Sequence, residues 1–298
     1  MKDSVSIQLT QVSQGRLLAI LAHPDDESFG LGGTLARYAR QGVEVYVCTV
    51  TDGAAGANDK EAAPGETPPL AQLRRQELEC ACQVLGVHLH TLDYRDSGMQ
   101  GTPDNHHPHS LYQADLDDVA CRLVRVIFQT RPHVVVTHDL TGGYFHPDHI
   151  KVHHAVRRAW NKLEDTEACA ALRAEGFEAW RPARLYCSAL PRSALKWFIR
   201  IQRWMGRDPR RVGKNRDIDL TQVGIPDEHI HVRLDVGPYV AIKEQASACH
   251  QSQGGGGAQR LLPAFLRHRF MRYEFFVQAE PPHIWAHSDL FEGLEVDE

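Results

Sequence analysis

Short apolar runs alternate with helical segments along most of this 298-residue chain, and no other feature constrains its fold as strongly. Elements that follow one another as strand, helix and strand need right-handed crossovers and produce a parallel sheet. The apolar runs are also too short to span a membrane, which takes about 20 residues. We therefore predict an α/β fold, with a Rossmann-like, mostly parallel sheet flanked by helices in a single domain over residues 1–298.

The individual elements follow from the spacing of apolar residues and from stop signals such as glycine. Strands are predicted at residues 16–22, 43–50, 88–92, 133–137, 184–189, 230–236 and 273–277. Helices are predicted at residues 30–40, 73–85, 116–129, 147–162 and 239–250. Long loops are expected at 52–70 and 93–111, and the pattern after about residue 190 is harder to interpret. The glycine run 254–257 is either a flexible loop or a point of close approach.

Charge and cysteine usage exclude several classes of protein. The formal net charge of -5 argues against a nucleic-acid-binding or anionic membrane surface, so we expect neither partner. The basic cluster at 200–216 is interpreted as a solvated loop or helix face. The seven cysteines are scattered and no pair is spaced for a metal, so all are expected to be reduced. With no signal-peptide pattern before Leu17, we expect a cytoplasmic location; the oligomeric state stays open, a homo-oligomer included.

A His-Pro-Asp sequence occurs twice, each time after a predicted strand. The first copy is His23-Pro24-Asp25-Asp26 and the second is His146-Pro147-Asp148-His149. The carboxyl ends of parallel strands share one edge of the sheet, where ligands bind, so both copies are expected at that edge. Proline suits the first helical position, so the residue three after each histidine faces the same side of the first turn.

Two imidazoles and one carboxylate suit a catalytic zinc, which takes about three protein ligands and leaves one position open for water. His23, Asp26 and His149 supply that set. Asp25 is left beside the water, where a general base belongs, and His146 as a donor toward the developing oxyanion. A magnesium–phosphate site is less favoured, because hard cations prefer oxygen ligands to imidazole. Alone, either segment fits a surface turn; two copies after strands favour a site.

These segments resemble the PIG-L/LmbE-like zinc-dependent de-N-acetylases. AHPDDE at 22–27 and HPDH at 146–149 match the two metal motifs of that family. RDSGM at 95–99, RPHVVVT at 131–137 and GGYFHPDH at 142–149 are similar to its actinobacterial branch, which includes the mycothiol-pathway deacetylase and the mycothiol S-conjugate amidase. The resemblance spans most of residues 16–155 and returns more weakly at 243–253.

The resemblance implies the same roles as the spacing does. The zinc ligands are His23, Asp26 and His149, the general base is Asp25, and the oxyanion donor is His146. It further implies that Asp148 supports His146 and that Tyr144 approaches the substrate carbonyl. It also implies that the sugar or its attached group is held by Arg74, Asp96 and Met99.

Each of these additional residues has a structural alternative. Tyr144 could pack beside its loop, Arg74 could form a surface pair, Asp96 could cap a turn and Met99 could fill a gap. The adjacent Arg75 also makes the Arg74 alignment uncertain by one residue. Glu27 and Ser28 are interpreted as ordinary first-turn helix residues, since acidic groups favour a helix N-terminus.

The expected activity is hydrolysis of the N-acetyl group of an N-acetylglucosamine-type sugar conjugate, a small molecule, by metal-activated water. Zn²⁺ is the expected cofactor, with Fe²⁺ as an alternative in the cell. One alternative activity is an amidase for a larger acyl amide, such as a mycothiol-type S-conjugate. Another is a non-catalytic sugar-binding protein, although binding alone needs no base beside an open metal. Deacetylase and amidase differ in pocket size, which depends on the loops 52–70, 93–111 and around Gly254.

Overall fold

A single mixed sheet forms the centre of the protein. The computed structural model describes residues 14–56, 69–165, 169–212, 218–256, 264–282 and 286–295. Its strands are β1 (Arg16–Leu21), β2 (Glu44–Thr51), β3 (His88–Tyr94), β4 (Val134–Thr137), β5 (Arg184–Ala189), β6 (Val232–Asp235) and β7 (Tyr273–Glu280). Their order is β3-β2-β1-β4-β5-β7-β6; β1 to β5 are parallel, and β7 is antiparallel to β5 and β6. The predicted α/β fold with a mostly parallel sheet is confirmed.

Helices cover both faces of this sheet. Within the described residues they are α1 (Asp26–Phe29), α2 (Gly32–Arg40), α3 (Leu70–Leu85), α4 (Leu116–Thr130), α5 (Gly142–Phe145), α6 (Pro147–Lys162), α7 (Ala170–Ala174), α8 (Arg192–Trp204), α9 (Val240–Cys249) and α10 (Ala264–Met271). Within that same part of the chain, no helix is long and apolar enough to cross a bilayer.

The β1 strand shows why the apolar pattern predicts a buried parallel strand. Leu17, Ala19 and Leu21 pack into the core shared with α2 and α3. Leu18 and Ile20 point to the other face, into the core shared with α4 and α6. Successive side chains of a strand alternate between faces, so a strand covered on both sides is apolar throughout.

Cys80 and Cys249 form a disulfide, and the expectation that all seven cysteines are reduced is wrong for these two. Cys80 lies on α3 and Cys249 ends α9, and their Cα atoms are 5.9 Å apart because the two helices pack together. The pair is separated by 169 positions in the sequence, so local spacing carried no signal for it.

The strand order changes direction at β1, which has β2 on one side and β4 on the other. The first His-Pro-Asp segment follows β1 and the second follows β4. These strands are parallel neighbours, with Leu17 to Ala19 paired to Val134 to Val136, so both segments lie at the same edge of the sheet. Ligands of open α/β sheets bind at such a switch point. The predicted loop 52–70 lies partly outside the described residues, at 57–68, as does Gly257.

Candidate functional site

The first His-Pro-Asp segment forms a sharp turn between β1 and α1. The helix begins at Asp26, so Pro24 precedes it and does not occupy the expected first helical position. His23 N donates to Asp26 Oδ2 at 2.8 Å, which closes the turn. Asp25 adopts a φ of 126°, a conformation that residues other than glycine rarely hold. The turn therefore presents His23 and Asp26 to one side while Asp25 is held in an unusual backbone geometry.

The second segment follows the expected pattern, because α6 begins at Pro147 with His146 as its N-cap. His146 Nδ1 accepts a hydrogen bond from Asp148 N at 3.2 Å. A neutral imidazole whose Nδ1 accepts carries its proton on Nε2. Just before this segment, Gly142 has a φ of 61°, and a Cβ there would lie 2.7 Å from His149 Cβ. Glycine is therefore needed for the chain to pass this close to His149.

The side chains of three residues from the two segments lie close together. His23 Nδ1 lies 3.0 Å from His149 Nε2, Asp26 Oδ2 lies 3.7 Å from His23 Nδ1, and Asp26 Oδ1 lies 3.5 Å from His149 Nε2. A tetrahedral metal with bonds of about 2.0–2.2 Å separates its ligand atoms by roughly 3.4 Å. The spacing and chemistry of these donors therefore fit a zinc-type ion.

The second ring nitrogen of each histidine is also occupied. His149 Nδ1 lies 3.1 Å from Gly142 O, and His23 Nε2 lies 3.2 Å from Asp148 Oδ2. Partners of this kind fix the tautomer and orientation of metal-binding histidines. The Asp148 carboxylate thus contacts His23, whereas its contact with His146, the residue it was expected to support, is made by its backbone N–H.

Asp25 lies beside these atoms as an additional carboxylate. Arg74 Nη2 donates to Asp25 Oδ2 at 3.1 Å. Burial raises the pKa of the Asp25 carboxyl to about 7, an effect that Arg74 opposes and the Asp26 carboxylate strengthens. A general base works best when its pKa is near the operating pH.

The structure distinguishes the two neighbouring arginines of α3. Arg74 is buried and donates from Nη1 to Gly53 O at 2.9 Å. Gly53 has a φ of 69°, and a Cβ there would lie 2.6 Å from the Arg74 guanidinium carbon, so glycine makes this approach possible. Arg75 is exposed and pairs with Glu79 and Asp93. Arg74 therefore belongs to the site and not to a surface pair.

Two further groups can donate hydrogen bonds toward the same space. Burial, assisted by His23, lowers the pKa of His146 to about 3, so its ring is neutral with the proton on Nε2. The Tyr144 ring stands edge-on to His149 at a centroid distance of 5.1 Å. Burial raises the pKa of Tyr144 well above its ordinary value, so its hydroxyl keeps its proton.

Asp96 and Met99 occupy one turn next to His23. Asp96 is 3% exposed, accepts from Gly98 N at 2.8 Å through Oδ1, and has the same oxygen 3.5 Å from His23 Nε2. Its carboxylate therefore caps a turn and faces the site as well. Met99 is half-buried, and its carbonyl accepts from Asn105 Nδ2 at 3.2 Å.

Sequence reasoning missed His138, the first residue after β4. Its ring stacks on that of His149 with centroids 3.9 Å apart. His138 Nε2 lies 3.5 Å from Asp26 Oδ2, but it accepts a hydrogen bond from Ala22 N at 3.0 Å, so its lone pair is already used. His138 is near enough to Asp26 and His149 to share an ion with them, but the hydrogen bond at its Nε2 favours a role in orienting the His149 ring. Its position directly after a buried strand was the available signal.

Glu27 and His250 were also missed. Both side chains are 0% exposed, and Glu27 Oε1 lies 2.6 Å from His250 Nε2. Glu27 lies in the first turn of α1 as expected, but its carboxylate is buried and faces His250 instead of solvent. The weak resemblance at 243–253 was the only signal available for His250.

Comparison with known proteins places this chain in a family. Residues 18–160 match the family described as PIG-L, GlcNAc-PI de-N-acetylase. A protein of Acidothermus cellulolyticus, described as a 1D-myo-inositol 2-acetamido-2-deoxy-alpha-D-glucopyranoside deacetylase, is 36% identical over 294 residues, covering 94% of this chain and 95% of the relative. A protein of Thermobispora bispora with the same description is 38% identical over 251 residues, covering 80% of this chain and 79% of the relative.

Solved structures share the fold at low identity. The N,N'-diacetylchitobiose deacetylase of Pyrococcus horikoshii has a TM-score of 0.58 at 19% identity, covering 88% of this chain and 83% of its own. GalB, a 4-carboxy-2-hydroxymuconate hydratase of Pseudomonas putida, also has a TM-score of 0.58, at 18% identity, covering 91% and 98%. One fold thus serves a deacetylase and a hydratase, so the reaction has to be argued from the site.

Proposed function

Because this chain belongs to the PIG-L, GlcNAc-PI de-N-acetylase family, we propose that it is a zinc-dependent amidohydrolase that removes the acetyl group from an N-acetylglucosamine-type sugar conjugate. One observation carries the proposal: His23, Asp26 and His149 converge, while Asp25 stays outside the ligand set and is held beside it by Arg74. A non-catalytic binding protein would have no use for this additional carboxylate. The deacetylases among its relatives support the choice of amide hydrolysis.

His23, Asp26 and His149 would hold the metal. A bound Zn²⁺ supplies a Lewis acid for the acetyl carbonyl and lowers the pKa of water to near neutrality. Two imidazoles and one carboxylate suit Zn²⁺ and also Fe²⁺, which stays an alternative in the cell. His23 and His149 are held in the orientation this needs by Asp148 and by the Gly142 carbonyl.

The remaining residues move protons and stabilise charge. Asp25, whose pKa is raised by burial to about 7, takes a proton from the attacking water. His146 Nε2 and the Tyr144 hydroxyl donate toward the developing oxyanion. Asp25 then delivers the proton that it took from the water to the leaving amine, because the neutral His146 ring carries only the Nε2 proton that it donates toward the oxyanion.

The proposed function is tested by measuring amine release from a panel of amides. We expect hydrolysis of N-acetylglucosaminyl conjugates, the 1D-myo-inositol conjugate named for the relatives among them, and little hydrolysis of S-conjugated cysteine amides. If none of the N-acetylated sugars is cleaved by metal-loaded protein, the proposal is wrong.

A groove next to the site favours a second candidate, an amidase for larger acyl groups. The groove has a volume of about 400 Å³ and extends from Phe29 at the end of α1 and Gly143 beside Tyr144 to Leu190 and Phe270. A volume of this size and a partly apolar lining are typical of small-molecule sites, and an apolar lining suits an acyl chain. Faster release from an S-conjugated cysteine amide than from any N-acetylglucosaminyl compound would favour the amidase.

Asp96→Ala is expected to weaken sugar substrates by at least tenfold in kcat/KM while metal affinity is unchanged. We propose that Asp96, with Arg74 and Met99, holds the sugar; a hydrogen bond to a charged group contributes about 1.5–3 kcal/mol. The measurement compares an N-acetylglucosaminyl substrate with a small acetylated amine that lacks the ring. Equal losses on both, with a lowered Tm, would assign Asp96 to turn stability instead.

We further propose that the protein is cytoplasmic. The proposed function is compatible with a monomer and with a homo-oligomer. Disulfides are rare in the reducing cytosol. The redox state of Cys80 and Cys249 in protein taken directly from its host therefore tests the cytoplasmic assignment.

A further inference from the structure

Glu27 and His250 form a buried pair directly behind Asp25. Glu27 Oε1 and His250 Nε2 are 2.6 Å apart, and both side chains are 0% exposed. We infer that this pair positions Asp25, so that Glu27 and His250 are positioning residues for the hydrolysis. The inference rests on the proposed function, in which Asp25 is the base.

The link from Glu27 to Asp25 is a hydrogen bond between the Glu27 carboxylate and the Asp25 backbone amide. Asp25 N donates to Glu27 Oε2 at 2.9 Å. The φ of 126° at Asp25 is unfavourable for a residue with a side chain, and such a geometry persists only where surrounding contacts hold it. Arg74 binds the Asp25 carboxylate from the other end, at 3.1 Å. Glu27 therefore fixes the backbone of Asp25, and Arg74 fixes its side chain.

His250 makes the burial of Glu27 possible. A carboxylate without access to water is unfavourable unless it is paired and hydrogen-bonded. Ser28 Oγ donates to Glu27 Oε1, and His250 contacts the same oxygen. Burial by itself would lower the pKa of His250, but the carboxylates of Glu27, Asp25 and Glu77, with Glu27 contributing most, together raise that pKa above its ordinary value, which favours an ion pair.

The position of His250 is set by contacts that do not involve Glu27. Cys249, the preceding residue, is bonded to Cys80 of α3. Ser252 donates to the Glu77 carboxylate of α3 from N at 2.7 Å and from Oγ at 2.6 Å. The segment that carries His250 is thus tied to α3 on both sides of the histidine. His250 therefore positions the Glu27 carboxylate, and the Glu27 carboxylate positions the Asp25 amide.

The test is His250→Ala, with His250→Gln as the conservative variant. We expect His250→Ala to bind metal normally, to speed hydrogen exchange of the Asp25 amide, and to lower kcat by about ten- to a hundredfold with little change in KM, since small displacements of a reacting group have effects of this size. A glutamine amide can replace the His250 Nε2 donor, so His250→Gln should recover most of both losses.

His133→Ala is the matched control. His133 is another buried histidine, at the opposite edge of the sheet, where its Nδ1 accepts from Arg16 N at 3.0 Å. We expect it to lower Tm while Asp25 exchange and kcat stay unchanged. If His250→Ala leaves either Asp25 exchange or kcat at the wild-type value, or if His250→Gln rescues neither, the inference is overturned.

The exchange measurement also separates this inference from the proposed function. It needs no substrate, so the link from His250 to Asp25 is tested even if the panel of amides shows no hydrolysis. In that case the proposed function fails, whereas faster Asp25 exchange in His250→Ala still supports a positioning pair at this site.

Discussion

Asp25→Ala is expected to retain its metal and to lose about 10²–10⁴-fold in turnover, the usual cost of removing a general base. The reason is geometric: Asp25 lies next to the ligand set, but its carboxylate is held by Arg74 and not by the histidines. Metal content and kcat measured on the same preparation check this. Asp25→Asn preserves the shape of the turn and serves as the conservative variant, with a loss of similar size.

The opposite pattern would reverse the assignment. If Asp25→Ala lost its metal while turnover per bound metal stayed normal, Asp25 would be a ligand. A substitution at Asp25 also removes the partner of a buried arginine, so Tm is measured alongside kcat to separate loss of the base from loss of fold.

Removing the metal is expected to reduce turnover to the uncatalysed background. Chelation should do this reversibly, with activity restored by one equivalent of Zn²⁺. Substituting a residue that is hydrogen-bonded to a metal ligand typically weakens metal binding by about 10–100-fold. His149→Ala removes a ligand itself and should weaken metal binding by more than this. Asp148→Asn, which alters such an outer partner of His23, provides the matched comparison.

Calorimetric titration of Zn²⁺ into the metal-free variants measures these affinities. Full turnover in chelated protein would contradict metal dependence. A smaller effect of His149→Ala than of Asp148→Asn would remove His149 from the ligand set.

Much of the candidate site could be predicted because its residues lie close together in the sequence within each of two short segments. His23 and Asp26 are three residues apart in one turn, and β1 and β4 place the second segment beside the first. A buried parallel strand is apolar throughout, so β1 was also clear from its residue types. These are short-range patterns, which a single sequence displays.

The parts that were missed depend on contacts between distant positions. Glu27 and His250 are 223 positions apart, and an acidic residue in a first turn is ordinarily exposed. His23 and Asp148 are 125 positions apart, so the spacing did not reveal that the Asp148 carboxylate would contact His23. No local pattern encodes such pairs, because they form only when the helices pack.

The Cys80–Cys249 bond changes how the chain is connected. It closes a covalent ring that contains the second His-Pro-Asp segment, while His250 lies immediately outside it. Cutting the backbone once anywhere between the two cysteines would open the ring without releasing a fragment. The two pieces would stay joined, and the end of α9 would remain against α3 until a reductant separated them. The protein can thus be nicked along most of its central length and still keep its first and last segments as one molecule.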